Sequence, residues 1–174
     1  MTTFSQYAFV VGVLGYLLIL CPGYAQQADQ TRLDEVARRG AMVMPFDLEK
    51  TQHIFTKTAS GGLEQVISKS PADSEQIKLV RAHLSKIAHE FAKGDFSDPE
   101  KIHGKDMPGL EELRSAKPGQ ILIQYQVLDT GAQIAYSTNE PRLVAAIHKW
   151  FDAQLSDHAR HAVAGHDHEH MHAQ

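Results

Sequence analysis

One pattern that occurs twice constrains the fold of this chain most: two stretches of alternating side chains around a glycine-containing turn, followed by an amphipathic helix. In the first copy, "TQHIFTKTASGGLEQVIS", His53, Phe55 and Lys57 alternate with Ile54, Thr56 and Thr58. Beyond Gly61-Gly62, Leu63, Gln65 and Ile67 alternate with Glu64, Val66 and Ser68. Neighbouring side chains of a strand point to opposite faces, so period two on both sides of a turn predicts a β-hairpin, with the glycine pair at its reversal. The next run, "SPADSEQIKLVRAHLSKIAHEFAKGD", spaces Ile77, Val80, Leu84, Ile87 and Phe91 by three and four. That is one face of a helix, with Asp73 or Ser74 as the expected cap and Gly94 at the expected end.

The order returns in "ILIQYQVLDTGAQIAYS". Ile121, Ile123, Tyr125 and Val127 share a strand face, Asp129-Thr130-Gly131 makes the turn, and Ala132, Ile134 and Tyr136 continue on the second strand. "NEPRLVAAIHKWFDAQLSDHARHA" then reads as a helix capped by Asn139, with Pro141 in its first turn. The expected fold class is α+β: ββα–ββα, an antiparallel sheet with two main helices packed on one face.

The ends of the chain carry different information. Residues 1–25 hold no Asp, Glu, Lys or Arg, and an apolar run from Tyr7 to Cys21 precedes Pro22-Gly23 and a small Ala25. This is the layout of a secretory signal peptide cleaved after Ala25, giving a periplasmic or secreted product. The run is shorter than the roughly 20 residues of a membrane span, so no stable span is expected after cleavage. Cys21 is the single cysteine and lies inside that segment, so the mature chain is expected to lack disulfides, thiolate metal sites and cysteine nucleophiles. Residues 26–43 read as a polar spacer, 44–162 as a single domain, and 163–174 as a histidine-rich tail with no means of building a core. A formal net charge of −4 argues against a nucleic-acid partner, which would favour a basic patch.

Three runs, "MPFDLEKTQHIF", "GDFSDPEKIHGKDMPGLEEL" and "LVAAIHKWFDAQLSDH", resemble a family of small bacterial proteins that carry the name aspartate carbamoyltransferase. The resemblance spans about residues 44–161. What the name implies, carbamoyl transfer, calls for a Ser-Thr-Arg-Thr loop at a helix N-terminus to hold a phosphate. The nearest run here is "YSTNEPR", in which Ser137 and Thr138 are followed by Asn139 and the anionic Glu140, with Arg142 close by.

Eleven histidines are the most distinctive composition. His166, His168, His170 and His172 alternate through the tail, with Asp167 and Glu169 as possible oxygen donors, and suit a loose polyimidazole chelate. His158 and His161, three apart on the expected last helix, can face one ion, with Asp157 as a further ligand or as an orienting group for His161. His103 and Met107, four apart in the connection between the halves, would bring imidazole and thioether together if "HGKDM" took a helical turn. His148 and His83 read as satisfied, half-buried histidines, and a lone His53 on its strand could equally hydrogen-bond across the sheet. No G-x-S-x-G elbow or H-E-x-x-H helix points to an enzyme. The expectation is an exported protein that binds copper, zinc or nickel as buffer, carrier or sensor. The alternative is a non-enzymatic module for a ligand or protein, with noncovalent haem as one variant.

Overall fold

The computed structural model describes residues 30–166, so the expected signal segment and the tail histidines His168, His170 and His172 lie outside the described residues. Two hairpins form as the alternation predicts: β1 (Thr51–Thr58) with β2 (Gly61–Ser68), and β3 (Leu122–Leu128) with β4 (Gly131–Ser137). They join through β2 and β4, antiparallel, with Leu63 opposite Ala135 and Gln65 opposite Gln133. A short β5 (Ala162–Ala164) runs parallel to β1, with His53 opposite Ala162. The order is β3-β4-β2-β1-β5, so the sheet is antiparallel except at this edge.

Each hairpin is followed by its helix: α2 (Ser74–Phe91) after the first and α5 (Pro141–His158) after the second. Ile77, Val80, Leu84, Ile87 and Phe91 of α2 are all buried, as their spacing requires. Asp73 caps this helix by accepting from the Gln76 N–H at 3.2 Å. Leu143, Ile147, Trp150 and Phe151 of α5 are fully buried against Phe55, Val66, Ile134 and Tyr136 of the sheet. Trp150 meets Tyr136, Phe91 and Phe96 edge-on, at ring separations of 5.6, 5.9 and 6.0 Å. That is the favoured arrangement for ring quadrupoles.

Several local expectations are corrected. The first hairpin reverses at Ala59-Ser60, and Gly61-Gly62 open β2 instead. Gly62 serves packing: a Cβ there would lie 2.4 Å from the Phe151 ring. Glu140, not Asn139, occupies the N-cap of α5, and its N–H is held by Thr138 Oγ1 at 3.1 Å. The connection between the halves is more ordered than its glycines and prolines imply. It forms α3 (Ser97–His103) and α4 (Leu110–Arg114), and Phe96, Ile102, Met107, Leu110 and Leu113 close one end of the core.

The expected spacer is largely a helix, α1 (Gln30–Val43), which buries Val36 and Gly40 and packs on α3 and α5. Val36, Gly40 and Met44 recur every four residues, giving a narrow apolar stripe on an otherwise polar segment. Packed structure therefore includes α1 and extends through β5, beyond the expected limits of 44 and 162. No described helix is long and apolar enough to cross a membrane.

Gly131 shows how tightly the hairpins meet, because a Cβ there would fall 2.0 Å from the Val66 carbonyl oxygen. Gly131→Ala is expected to lower stability by about 2 kcal/mol in urea unfolding through forced backbone displacement. A loss below about 0.5 kcal/mol, the range of an ordinary surface change, would contradict this packing.

Candidate functional site: a buried imidazole cavity

The two helices and the sheet do not meet in apolar contact everywhere. Between them lies a cavity of about 40 Å³, enough for an ion or a few waters. Four histidines from four elements line it: His53 of β1, His83 of α2, His103 of α3 and His158 of α5. Trp150, Gln154 and His158 recur every four residues and form one column down α5. Glu64 of β2, Asp98 of α3 and Met44 complete the polar and thioether lining. His53 and Glu64 point inward because their strands alternate, and the register sets Phe55, between them, opposite Glu64.

The rings are held differently. His103 Nδ1 lies 2.8 Å from Asp157 Oδ2, and both are buried. A carboxylate can only accept, so Nδ1 carries the proton and, in the neutral ring, Nε2 keeps its lone pair. Arg32 of α1 grips the same carboxylate through Nε at 3.1 Å and a terminal nitrogen at 2.7 Å, and also donates to the His103 carbonyl at 2.9 Å. Burial raises the Asp157 carboxyl, but the bonds from His103 and Arg32 outweigh it and hold the group below its ordinary range.

His53 and His158 stack in parallel, 5.0 Å apart and 6° from coplanar orientation, while His103 meets His158 edge-on at 5.0 Å. His53 Nδ1 is buried with no hydrogen-bond partner among the described residues, as are Trp150 Nε1 and Gln154 Oε1. Such orphans are rare in native interiors. Burial pushes His53 down to about 3 and His83 down to about 4, the latter aided by Lys86. It holds His158 well below the ordinary imidazole range, with His53 adding to the effect. These three rings are neutral at physiological pH, which is the ligand form of imidazole. At the other end Tyr136 donates to Glu64 Oε2 at 2.5 Å, and burial lifts the Glu64 carboxyl to about 7.

The residues singled out from sequence are distributed as follows. His103 and His158 come together in the cavity, although they are far apart in sequence. Gly104, at φ 92°, ends α3, so His103 and Met107 do not share a helical turn, and Met107 packs into the core instead. The last helix stops at His158, and Ala159 takes a positive φ of 44°. That break sends His161 away to Glu49 Oε1 at 2.9 Å, so His158 and His161 do not face one ion. Asp157 orients His103, not His161. His166 is exposed at the edge of the described residues. His148 is a satisfied histidine, its Nε2 lying 3.0 and 2.9 Å from the Thr58 and Gly61 carbonyls.

His53, His83 and Glu64 were not expected at a site; the signal for two of them was an ionisable residue on the inward parity of a core strand. Among the described residues, no three His, Cys, Asp or Glu side chains already surround a single point as a metal set would. The stacking explains this, because ring lone pairs lie in plane and parallel rings cannot aim at one point until one turns. No protein-family model, curated protein or solved structure matches the chain.

The buried Glu64 carboxyl has a thermodynamic consequence. It ionises near 4.5 when unfolded and near 7 when folded, so between those values the folded chain holds a proton that the unfolded chain lacks. Its contribution to stability is therefore full below about 4.5 and is lost as pH rises through about 7. Glu64→Gln is expected to remove this term, so that the variant gains about 2–3 kcal/mol relative to the parent between pH 5 and 8. Parallel urea-stability profiles for the two proteins would contradict it.

Proposed function

We propose that this chain is an exported transition-metal-binding protein, a buffer, carrier or sensor of copper, zinc or nickel, and that the buried cavity is its principal site. The observation that carries the reading is the group of imidazoles around one small space, one of them with a buried nitrogen that has no partner among the described residues. His53 Nδ1 has no partner among the described residues, the His158 ring makes ring contacts but no hydrogen bond with them, and His103 is pinned through Nδ1 alone. A carboxylate holding one imidazole nitrogen so that the other is free is the recurrent outer support of metal-bound histidine. His53, His103 and His158 would hold the ion, and the Met44 thioether at the wall adds affinity for Cu(I). The bound ion would supply electrostatic partners for nitrogen atoms that otherwise lack them.

In this reading the tail plays a secondary part. His166, His168, His170 and His172 form an outer chelate that captures ions, and the cavity retains them. The segment over residues 1–25 supports export to a periplasmic or extracellular setting, where exchangeable metal is met. Carbamoyl transfer receives no support from the loop before α5, where the Glu140 carboxylate stands at the helix cap and opposes a phosphate. A haem macrocycle would need Phe55, Leu84 and Ile87 displaced from the cavity wall.

The two sites separate by truncation and by pH. Protein ending at Gly165 is expected to keep one tight site for Cu(I) or zinc by competition titration, and His53→Ala with His158→Ala is expected to abolish it. Asp157→Asn should weaken it about 10–100-fold. An ordinary imidazole loses its ion as pH falls through about 6–7, whereas burial keeps His53 and His83 neutral far below that, so cavity binding is expected to persist at pH 5. A truncated protein that takes up no copper, zinc or nickel would overturn the reading.

A further inference from the structure

The geometry points to a second binding surface, independent of the cavity: the open face of the sheet docks against the same face of a second copy of this chain. Among the described residues, all five α-helices lie on the other side. Inward residues of β1, β2 and β4 are buried except Lys57, while the outward positions alternate with them as partly exposed sites, except the buried Thr56, Gly61 and Gly131. The outward positions, among them Ile54, Leu63, Gln65, Ile67, Gln126 and Gln133, include no Asp, Glu, Lys, Arg or His on any of the five strands. The charged or imidazole side chains of the strands, His53, Lys57 and Glu64, all point to the helix side, where Lys57 pairs with Asp152 of α5. In a chain that is 22% charged, a whole sheet face without charge is not the surface of a module facing water alone.

The chemistry of the face fits itself. Gln65, Gln133 and Gln126 form a row across β2, β4 and β3, with Gln65 Nε2 donating to Gln133 Oε1 at 2.8 Å and Gln133 Nε2 to Gln126 Oε1 at 3.5 Å. Each amide offers both donors and acceptors, so a two-fold copy of the row meets groups it can bond, and no like charges are brought together. Apolar side chains flank the row, and Leu122 and Val163 at the two edge strands are 54% and 46% exposed. Four strands of seven or eight residues span about 20 by 25 Å, or about 500 Å² in projection. The accessible area of a corrugated face exceeds its projection and approaches the roughly 800 Å² per partner of a standard interface. The tail is a poor cover, since Asp167 and Glu169 would be buried against neutral amides without counter-charges.

The test is sedimentation velocity on the full mature chain from about 1 to 200 µM, without added metal. A monomer–dimer equilibrium with a micromolar dissociation constant is expected. Gln65→Glu with Gln133→Glu is expected to raise that constant at least 100-fold while leaving circular dichroism unchanged. Should that variant misfold, Gln126→Lys, nearer the edge, is expected to weaken the dimer at least tenfold. A wild-type chain that is monomeric throughout the range overturns the inference. So does a dimer that persists in the folded variants, or a dimer that forms only when residues after Gly165 are removed.

Discussion

The Arg32–Asp157–His103 chain is the interaction on which most of the remaining structure depends. It joins three elements remote in sequence: α1, the C-terminal end of α5 and the end of α3. The Asp157 side chain is 8% exposed and that of Arg32 is 45% exposed, so one charge is nearly buried while its partner reaches water. Removing Arg32 would leave a buried carboxylate short of a partner, which costs far more than an exposed ion pair is worth. The same carboxylate fixes the tautomer of His103. Docking of the N-terminal helix and orientation of a cavity ring are thus one electrostatic arrangement.

The cavity beside it runs against the economy of the core. Trp150, Phe55, Leu84 and Ile87 could have met with no polar atoms between them, yet four imidazoles, two acids and an amide share that space. Buried groups without partners destabilise the fold, and Ala159, forced to positive φ just after His158, adds strain of about 1–3 kcal/mol. Strain and unsatisfied polarity cluster at functional sites because the geometry retained there is not the most stable one. The rest of the core, with its edge-on Trp150 contacts and glycine-tight hairpin junctions, carries that burden.

Much of the fold was legible because local pattern and tertiary role agree. Ile77 to Phe91 had to face a core, and Ile134 and Tyr136 alternate with residues that do not. Misplaced features have specific causes. Gly61-Gly62 looked like turn residues, but their missing Cβ atoms admit Phe151 and Ile147 of a helix some ninety residues away. Residues 30–43 looked like a spacer because only Val36 and Gly40 are buried, too narrow a stripe to stand out. The site was legible only in part. His103 and His158 could be named, but their meeting depends on α3 ending at Gly104 and α5 at Ala159, two backbone events that side-chain periodicity does not report. His53 was hidden by its ordinary place in an alternating strand.

In the proposed function the buried imidazoles, and not the tail alone, are open nitrogen ligands. Long-range nitrogen–proton NMR on uniformly ¹⁵N-labelled protein, titrated with one equivalent of zinc or Cu(I), reads this directly, since both ions are diamagnetic. The ring nitrogens of His53, His103 and His158 are expected to move to metal-bound positions at pH 5.5, below the range in which an ordinary imidazole is mostly neutral. Movement confined to His166 and the histidines after it, with the cavity rings unchanged, would contradict it.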